Sequence, residues 1–152
     1  MAIPSLNTLT HFTDYTIGHA HLGLYGFFSM MMFGAIYYIV PRLVGWEWPS
    51  ATMIRWHFWL VAIGVLLMVG SLTMGGILQG LALYDPTVSF RSSLEFATPF
   101  RWLRGMSGFL LLAGHLVFAA LFVLMLLKSG RRREGPALFT APAGNPKEPT
   151  AV

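Results

Sequence analysis

Residues 56–83, WHFWLVAIGVLLMVGSLTMGGILQGLAL, form an apolar stretch that contains no Asp, Glu, Lys or Arg. A helix needs about 20 mostly apolar residues to cross the hydrocarbon core of a bilayer. Inside hydrocarbon, every backbone N–H and C=O must find its partner within the segment, so a stretch of this kind is helical. Residues 56–83 therefore predict a membrane-spanning helix.

Two further apolar stretches flank this one. Residues 17–40 stop at Pro41 and Arg42, and residues 100–127 carry charge only in their first turns. The whole chain has 55% hydrophobic and 11% charged residues, whereas a soluble domain has roughly 25% charged residues. We therefore predict an all-α membrane protein with three transmembrane helices and a disordered C-terminal tail.

The three stretches divide the chain into three parts. Residues 1–16 form an N-terminal segment, residues 17–127 the transmembrane domain, and residues 128–152 a basic tail rich in Pro and Gly. The tail has no apolar periodicity, and this composition is typical of disorder. Between the second and third stretches, residues 85–99 predict a polar loop.

Lys and Arg are unequally distributed between the two ends of the predicted helices. Six lie in the first connection and at the start of the tail, against three at the opposite end: Arg42, Arg55, Lys128, Arg131, Arg132 and Arg133 against Arg91, Arg101 and Arg104. The cytoplasmic side of a membrane protein carries the excess of basic residues. The tail is therefore predicted to be cytoplasmic, with the N-terminus and the 85–99 loop facing outward.

Composition also restricts the chemistry of the chain. It contains no Cys, which excludes disulfides and thiolate-bound metals, so a metal would be held by His, Met or carboxylates. The net charge of +4 does not indicate a nucleic-acid partner, because the basic residues lie at helix ends and in the tail, where membrane topology places them.

His19 and His21 lie near the start of the first predicted helix, in the segment GHAHLGLYG of residues 18–26. Ionisable residues within a membrane are costly and are candidates for function, and His is a common axial ligand of haem iron. At about 100° per residue the two rings point roughly 200° apart. They therefore cannot chelate one metal, but they suit two cofactors on opposite faces of the helix. The alternative is a pair of interfacial histidines bonded to headgroups or backbone.

The sequence resembles the tenth to twelfth helices of subunit I in the haem–copper oxidase superfamily. It is similar to the cbb3-type cytochrome c oxidases and to the cytochrome c-dependent nitric oxide reductases. The resemblance covers about residues 10 to 127 and lies in ordered pieces: HFTDYT and GHAHLGLYG at 11–16 and 18–26, FGAIYYIVPR at 33–42, WHFWL at 56–60, MGGILQG at 74–80 and RGMSG at 104–108.

The resemblance implies a haem site at the start of the first helix. By similarity, His19 is the axial ligand of a high-spin haem and His21 an axial ligand of a low-spin haem, both expected to be haem b. Arg104, and less directly Arg101, would pair with haem propionates, because guanidinium matches carboxylate geometry. The alternative for both arginines is a snorkelling residue at the membrane surface.

Two other histidines lie in the second and third stretches. His57, between Trp56 and Trp59, is predicted to be an interfacial anchor. His115 lies in the middle of the third stretch, where it is predicted to hydrogen-bond across helices or to face a haem edge. The three consecutive methionines at 30–32 point in different directions around a helix and so predict packing rather than a copper site.

A complete catalytic subunit of the resembled family has many more helices, and the histidines of its copper or non-haem iron site have no counterpart in this chain. We therefore expect a partial or split subunit I of a respiratory terminal oxidase, or alternatively of a nitric oxide reductase. It would assemble with other membrane subunits and receive electrons indirectly from cytochrome c. A homo-oligomer is the alternative. A further hypothesis is a haem-free accessory or assembly helix bundle. The expected location is the bacterial inner membrane.

Overall fold

The computed structural model describes residues 3–133, and the regular elements among them are helices. Three helical spans are long and apolar enough to cross a membrane, namely Asp14–Val44, Ala51–Tyr84 and Phe90–Leu126. They confirm the predicted all-α, three-span architecture. The elements in chain order are α1 (Pro4–Thr10), α2 (Asp14–His21), a π-helical stretch π1 (Leu22–Ser29), α3 (Met30–Val44), α4 (Ala51–Tyr84) and α5 (Phe90–Leu126).

Each span begins earlier than hydropathy predicts, because a polar side chain caps it. The hydroxyl of Thr13 accepts a hydrogen bond from the N–H of Tyr15, and that of Ser50 from the N–H of Met53. Ser89 caps α5 by accepting from the N–H of Ser92. These caps satisfy orphan backbone donors at helix starts. The loop predicted over residues 85–99 is therefore shorter than predicted: residues 85–89 are non-helical, whereas α5 begins at Phe90 and includes Pro99.

The first span also passes the proline at which the sequence predicts its end. Pro41 has no N–H to donate to the carbonyl of Tyr37, four residues earlier. The indole Nε1 of Trp48 donates to that carbonyl instead, at 2.9 Å. α3 then continues to Val44 and ends at Gly45, whose φ of 76° places it in the left-handed conformation. Gly accepts this conformation without the cost of a Cβ.

α4 is the central helix and packs against both other spans. Its buried positions recur every three to four residues, which is the spacing of one helix face; they are His57, Val61, Gly64, Val65, Met68, Ser71, Leu72, Gly75, Gly76, Gln79 and Gly80. The small residues permit close approach. A Cβ on Gly64 would lie 2.8 Å from Leu111 of α5, and one on Gly114 of α5 would lie 2.8 Å from Val61.

Much of the apolar surface of the other two spans is exposed. Among the most apolar 18 residues of each span, 6% are buried in Asp14–Val44 and 17% in Phe90–Leu126, against 44% in Ala51–Tyr84. Large side chains such as Leu24, Trp102 and Phe109 are at least 70% exposed. In an aqueous solvent this surface would be prohibitively large. It is suited to lipid or to further helices.

The start of the predicted tail folds back onto the first connection. Arg133 Nη1 lies 2.8 Å from Glu47 Oε1, and the Arg133 N–H donates to the Gly45 carbonyl at 3.0 Å. These contacts fix the end of the bundle at which α3 and α5 finish and α4 begins. The disorder predicted for the rest of the tail concerns residues 134–152, which lie outside the described residues.

Candidate functional site

α2 carries His19 and His21 on either side of the face that packs on α4. Gly18 marks that face, because a Cβ built on it would lie 3.0 Å from Leu72 Cβ. At about 100° per residue, His19 points roughly 100° to one side of Gly18 and His21 about 60° to the other. The two rings therefore lie on different sides of the helix and do not converge on one point.

The hydrogen bond of His21 fixes which of its nitrogens is free. Its Nδ1 lies 2.8 Å from the carbonyl oxygen of Ile17, one turn earlier. A carbonyl only accepts, so Nδ1 carries the proton and Nε2 of the neutral ring keeps its lone pair. Axial histidines use this arrangement, since a bond at one nitrogen orients the ring for the other. His19 is exposed and makes no side-chain hydrogen bond within residues 3–133.

An ion pair holds the start of α2 against α5. Arg101 Nε lies 2.7 Å from Asp14 Oδ2, and Arg101 Nη2 lies 3.3 Å from Asp14 Oδ1. The N–H of Asp14 also donates to Oε1 of Gln79 on α4, at 3.0 Å. All three spans therefore meet at one residue, little more than one turn before His19. Arg101 was predicted as a propionate partner, and in this structure its guanidinium is already engaged by a carboxylate.

Arg104 lies three residues further along α5 and is exposed. Its backbone carbonyl accepts from the hydroxyl of Ser107 at 2.6 Å, whereas its guanidinium makes no hydrogen bond or ion pair in the described part of the chain. Of the two arginines, Arg104 is therefore the one with its donors available.

The other two intramembrane histidines form a cluster with two tyrosines, which we call the histidine–tyrosine cluster (Tyr25, Tyr37, His57 and His115). His115 Nε2 lies 2.7 Å from the hydroxyl of Tyr25 in π1, so the predicted hydrogen bond across helices is confirmed. His57 Nδ1 lies 2.8 Å from the hydroxyl of Tyr37 in α3. The two imidazole centroids are 6.1 Å apart.

His57 is not an interfacial anchor, and that prediction is wrong. His57 is 2% exposed. Its ring packs on Phe33 of α3 and Phe118 of α5, with centroid distances of 4.7 and 5.1 Å. The neighbouring Trp56 and Trp59 are exposed and suggested the surface location. The signal that points inward is periodicity, because His57 shares a face with Val61, Gly64 and Met68.

Nowhere among residues 3–133 do three or more His, Cys, Asp or Glu side chains gather as a metal centre. The polar groups form two layers instead. One layer lies at the α2 start, with Asp14, Gln79 and Arg101 near the histidine pair, and the second is the histidine–tyrosine cluster. The fold and these layers define a polytopic helical membrane protein with polar sites between and beside its helices.

Comparison with known proteins identifies the family. The family model for cytochrome c and quinol oxidase polypeptide I matches residues 1–110. The chain therefore belongs to this family, the subunit I family of haem–copper oxidases, whose members bind haem. The resemblance inferred from the sequence is confirmed.

Individual relatives agree with the family match. The chain is 43% identical over 126 residues to the cbb3-type cytochrome c oxidase subunit CcoN1 of Stutzerimonas stutzeri. This alignment covers 78% of this chain and 27% of the relative. It is 36% identical over 155 residues to a cytochrome c oxidase subunit 1 homolog of Agrobacterium tumefaciens, covering 97% and 29%. A nitric oxide reductase subunit of Stutzerimonas stutzeri is 32% identical over 146 residues, covering 91% and 29%. The chain thus spans less than a third of the length of each.

Proposed function

We propose that the chain is a haem-binding membrane component of a respiratory terminal oxidase of the cytochrome c oxidase type. The observation that carries the proposal is the placement of His19 and His21 on two different sides of α2. In addition, Nε2 of the neutral His21 ring keeps a lone pair that can bind a metal. Family membership adds weight, because the family binds haem. Two flat cofactors flanking one helix need this divergence of ligands.

In this proposal His19 holds a high-spin haem and His21 a low-spin haem, both of the b type. Haem supplies the redox-active iron that accepts and passes on electrons, and the protein supplies binding and orientation. The Ile17 carbonyl orients the His21 ring. The Asp14–Arg101 pair fixes the start of α2, and thereby the height of both histidines in the membrane.

Arg104 is proposed to meet a haem propionate. It lies at the same end of the bundle as the histidine pair, and its guanidinium has free donors that fit a carboxylate. Arg101 contributes indirectly through Asp14, unless a propionate displaces that carboxylate. His115 is proposed to contact a haem edge in the cleft that Tyr25 and His115 line together.

Turnover is proposed to require other membrane subunits that supply the remaining ligands, with cytochrome c as the indirect electron donor. The exposed apolar faces of α3 and α5 offer the surface for such helices, and a homo-oligomer would use the same faces. The location proposed is the bacterial inner membrane, with the N-terminus outside and the tail cytoplasmic. The relatives named above are all bacterial proteins, two from oxidases and one from a reductase.

A nitric oxide reductase component is the second candidate, supported by the 32% identity to a subunit of such an enzyme. The identity to the cbb3-type relative is higher, at 43%, and we therefore place the oxidase first. A haem-free accessory or assembly bundle is the third candidate, and the exposed ring of His19 is compatible with it.

The test is haem binding by the full chain. The protein is expressed with haem supply, purified in mild detergent, and examined by reduced-minus-oxidised spectra and a pyridine haemochrome assay. His19→Ala and His21→Ala should each remove part of the haem, whereas His11→Ala, an exposed histidine at the same end, should remove none. Haem that survives both substitutions would overturn the assignment. A haem-free chain is retested after co-expression with oxidase helices carrying the other ligands, where continued absence of haem would favour the accessory role.

A further inference from the structure

Arg55 carries a positive charge that no described side chain neutralises. It lies about one turn after α4 begins at Ala51, and its guanidinium makes no hydrogen bond or ion pair among residues 3–133. Glu47, the one acidic residue between Asp14 and Asp85 in the sequence, already pairs with Arg133 at 2.8 Å. The guanidinium of Arg55 is therefore available to an anion from outside the chain.

Two clefts adjoin Arg55. The first, of about 360 Å³, lies between α3 and α4 and is lined by Met30 and Trp59 among others. The second, of about 320 Å³, is lined by Thr52, Trp56 and Trp59 on α4. Arg55 and Trp59 line both clefts, so the two clefts lie side by side and share one guanidinium.

The first cleft extends into the membrane along α3. Its lining includes Tyr37, towards the end where α3 finishes, and Met30, seven residues earlier; this separation is about 10 Å at 1.5 Å per residue. Phe33 and Gly34 line the cleft between them, and a Cβ built on Gly34 would meet nothing within 4 Å. The absence of a side chain at Gly34 therefore leaves the cleft open. A groove that is apolar at depth and charged at one end suits an amphiphile with an acyl chain.

Two tryptophans indicate that this region lies at the level of the lipid headgroups. Trp56 and Trp59 are each 59% exposed, and indole rings on membrane helices concentrate at the boundary between hydrocarbon and headgroup. Arg55 is adjacent to Trp56, and the long side chain of an arginine can extend towards the headgroups while its methylene groups stay in apolar surroundings. We therefore expect the guanidinium at the depth of the phosphates and Met30 at the depth of the acyl chains.

The charge of Arg55 selects among phospholipids. A guanidinium matches phosphate oxygens with paired donors. Phosphatidylcholine carries a cation beside its phosphate and brings no net charge to the site. Phosphatidylglycerol brings a net negative charge, and basic residues near the membrane surface attract such anionic lipids. Because no carboxylate of the described chain competes for Arg55, an anionic headgroup is the occupant that the electrostatics favour.

We propose that one anionic phospholipid is bound near the start of α4, with its phosphate on the guanidinium of Arg55 and its two acyl chains in the two adjoining clefts. Thr52 lines the second cleft, and its hydroxyl, which makes no hydrogen bond within residues 3–133, supplies a second donor to the headgroup. The site uses neither His19 nor His21, which lie at the opposite end of the bundle, and it does not depend on haem.

Native mass spectrometry of the full chain tests the site. The protein is purified in mild detergent, and equal amounts of phosphatidylglycerol and phosphatidylcholine with identical acyl chains are added. The wild-type chain should retain phosphatidylglycerol preferentially, and Arg55→Gln should reduce this preference by roughly tenfold, the factor to which one charge-assisted hydrogen bond corresponds. Lys128→Gln removes an exposed charge at the same end of the bundle that lines neither cleft, and it should leave the preference unchanged.

A second substitution tests the clefts without altering the charge. Gly34→Leu should fill the first cleft and lower the retention of phosphatidylglycerol several-fold, because an acyl chain loses its apolar contacts there. Gly70→Leu is the matched control, since a Cβ on Gly70 also meets nothing within 4 Å and Gly70 lines neither cleft. Circular dichroism checks that both variants keep the helical content of the wild-type chain.

Each of several results would overturn the proposal. Equal retention of the two lipids would show that the charge of Arg55 selects nothing. Equal losses in the Arg55→Gln and Lys128→Gln variants would indicate a general attraction to surface charge rather than a site. Undiminished retention in the Gly34→Leu variant would place the acyl chains elsewhere. A second copy of the chain retained in place of lipid would assign the clefts to a homo-oligomer.

Discussion

Arg101 of α5 and Asp14 of α2 form a two-point ion pair, with N–O distances of 2.7 and 3.3 Å. The Asp14 side chain is 11% exposed and that of Arg101 is 39% exposed. Because the backbone of Asp14 is also bound by Gln79 of α4, this pair determines where the first span begins relative to the other two.

Removing one partner of this pair should destabilise the helix bundle. Arg101→Met leaves Asp14 buried without its cation, and we expect a loss of about 1–3 kcal/mol, discounted for the exposure of the arginine. The measurement is unfolding in mixed detergent micelles followed by circular dichroism. The double variant Arg101→Met with Asp14→Leu should recover part of the loss, because no unpaired charge remains.

The control for this prediction is the exposed pair of Arg91 and Glu95. Their side chains are 92% and 71% exposed, and they lie 3.7 Å apart. Arg91→Met should change stability by less than about 0.5 kcal/mol. An equal effect at Arg91 and Arg101 would contradict the structural role of the buried pair.

Trp48 and Pro41 should be energetically coupled through the carbonyl of Tyr37. Trp48→Phe removes the indole donor and should cost about 1–3 kcal/mol, because it leaves that carbonyl unsatisfied. Pro41→Ala restores a backbone N–H at the position that normally bonds it. In the Pro41→Ala background, Trp48→Phe should therefore cost clearly less. A double-mutant cycle by detergent unfolding measures the coupling, and additive losses would refute it.

Gly76 should not tolerate a methyl group, whereas Gly70 on the same helix should. A Cβ on Gly76 would overlap the backbone of Tyr15, and one on Gly70 would meet nothing within 4 Å. We expect Gly76→Ala to cost about 1–3 kcal/mol through overpacking. Gly70→Ala should be neutral or stabilising by up to about 1 kcal/mol. Thermal unfolding of the two variants side by side tests this, and similar melting of both would be the contrary result.

Asp85 should titrate below the usual range of an aspartate. The hydroxyl and the N–H of Thr87 donate to its Oδ1 at 2.6 and 2.9 Å, and these bonds hold the pKa of the Asp85 carboxyl below its ordinary value of 3.8. A lowered folded-state pKa adds stability that is present above the ordinary pKa and is lost as the pH falls through the folded pKa.

Carbon-13 NMR of the Asp85 carboxyl measures this titration. Thr87→Val removes the hydroxyl but keeps the N–H, so it should raise the pKa of Asp85 only part of the way. An unchanged titration in the Thr87→Val variant would show that the hydroxyl has no role.

The three spans were predictable because the bilayer imposes a single length and polarity on each of them. Their ends were not, since capping by Ser89 and the Trp48 bond past Pro41 depend on geometry that a hydropathy pattern does not contain. For this reason the predicted loop extends only over residues 85–89, and residues 90–99 belong to α5. The family resemblance was predictable from ordered motifs, each weak alone.

The residues near the histidine pair were predictable in type but not in pairing. Arg101 and Asp14 are distant in sequence, and local patterns do not indicate which carboxylate a membrane-surface arginine will meet. The sequence predicts a surface position for His57 because the tryptophans on either side of it, Trp56 and Trp59, are of the kind found at membrane surfaces, and both are indeed exposed. The inward periodicity of α4 was present in the sequence, but its meaning depends on knowing which helix packs against that face.

The π-helical stretch Leu22–Ser29 joins two parts of the first span that are anchored separately. On its N-terminal side, α2 is held by the bonds of Asp14 and by the close packing of Gly18 on α4. On its C-terminal side, α3 is held by the bonds of Tyr37 to His57 and Trp48. A π-helix closes its hydrogen bonds one residue later than an α-helix and so turns less per residue. The stretch therefore gives the histidine pair a different rotational position relative to Tyr37 than an uninterrupted α-helix of the same length would give. A deletion of one residue within Leu22–Ser29 would turn the two histidines away from their present directions while leaving α3 in place.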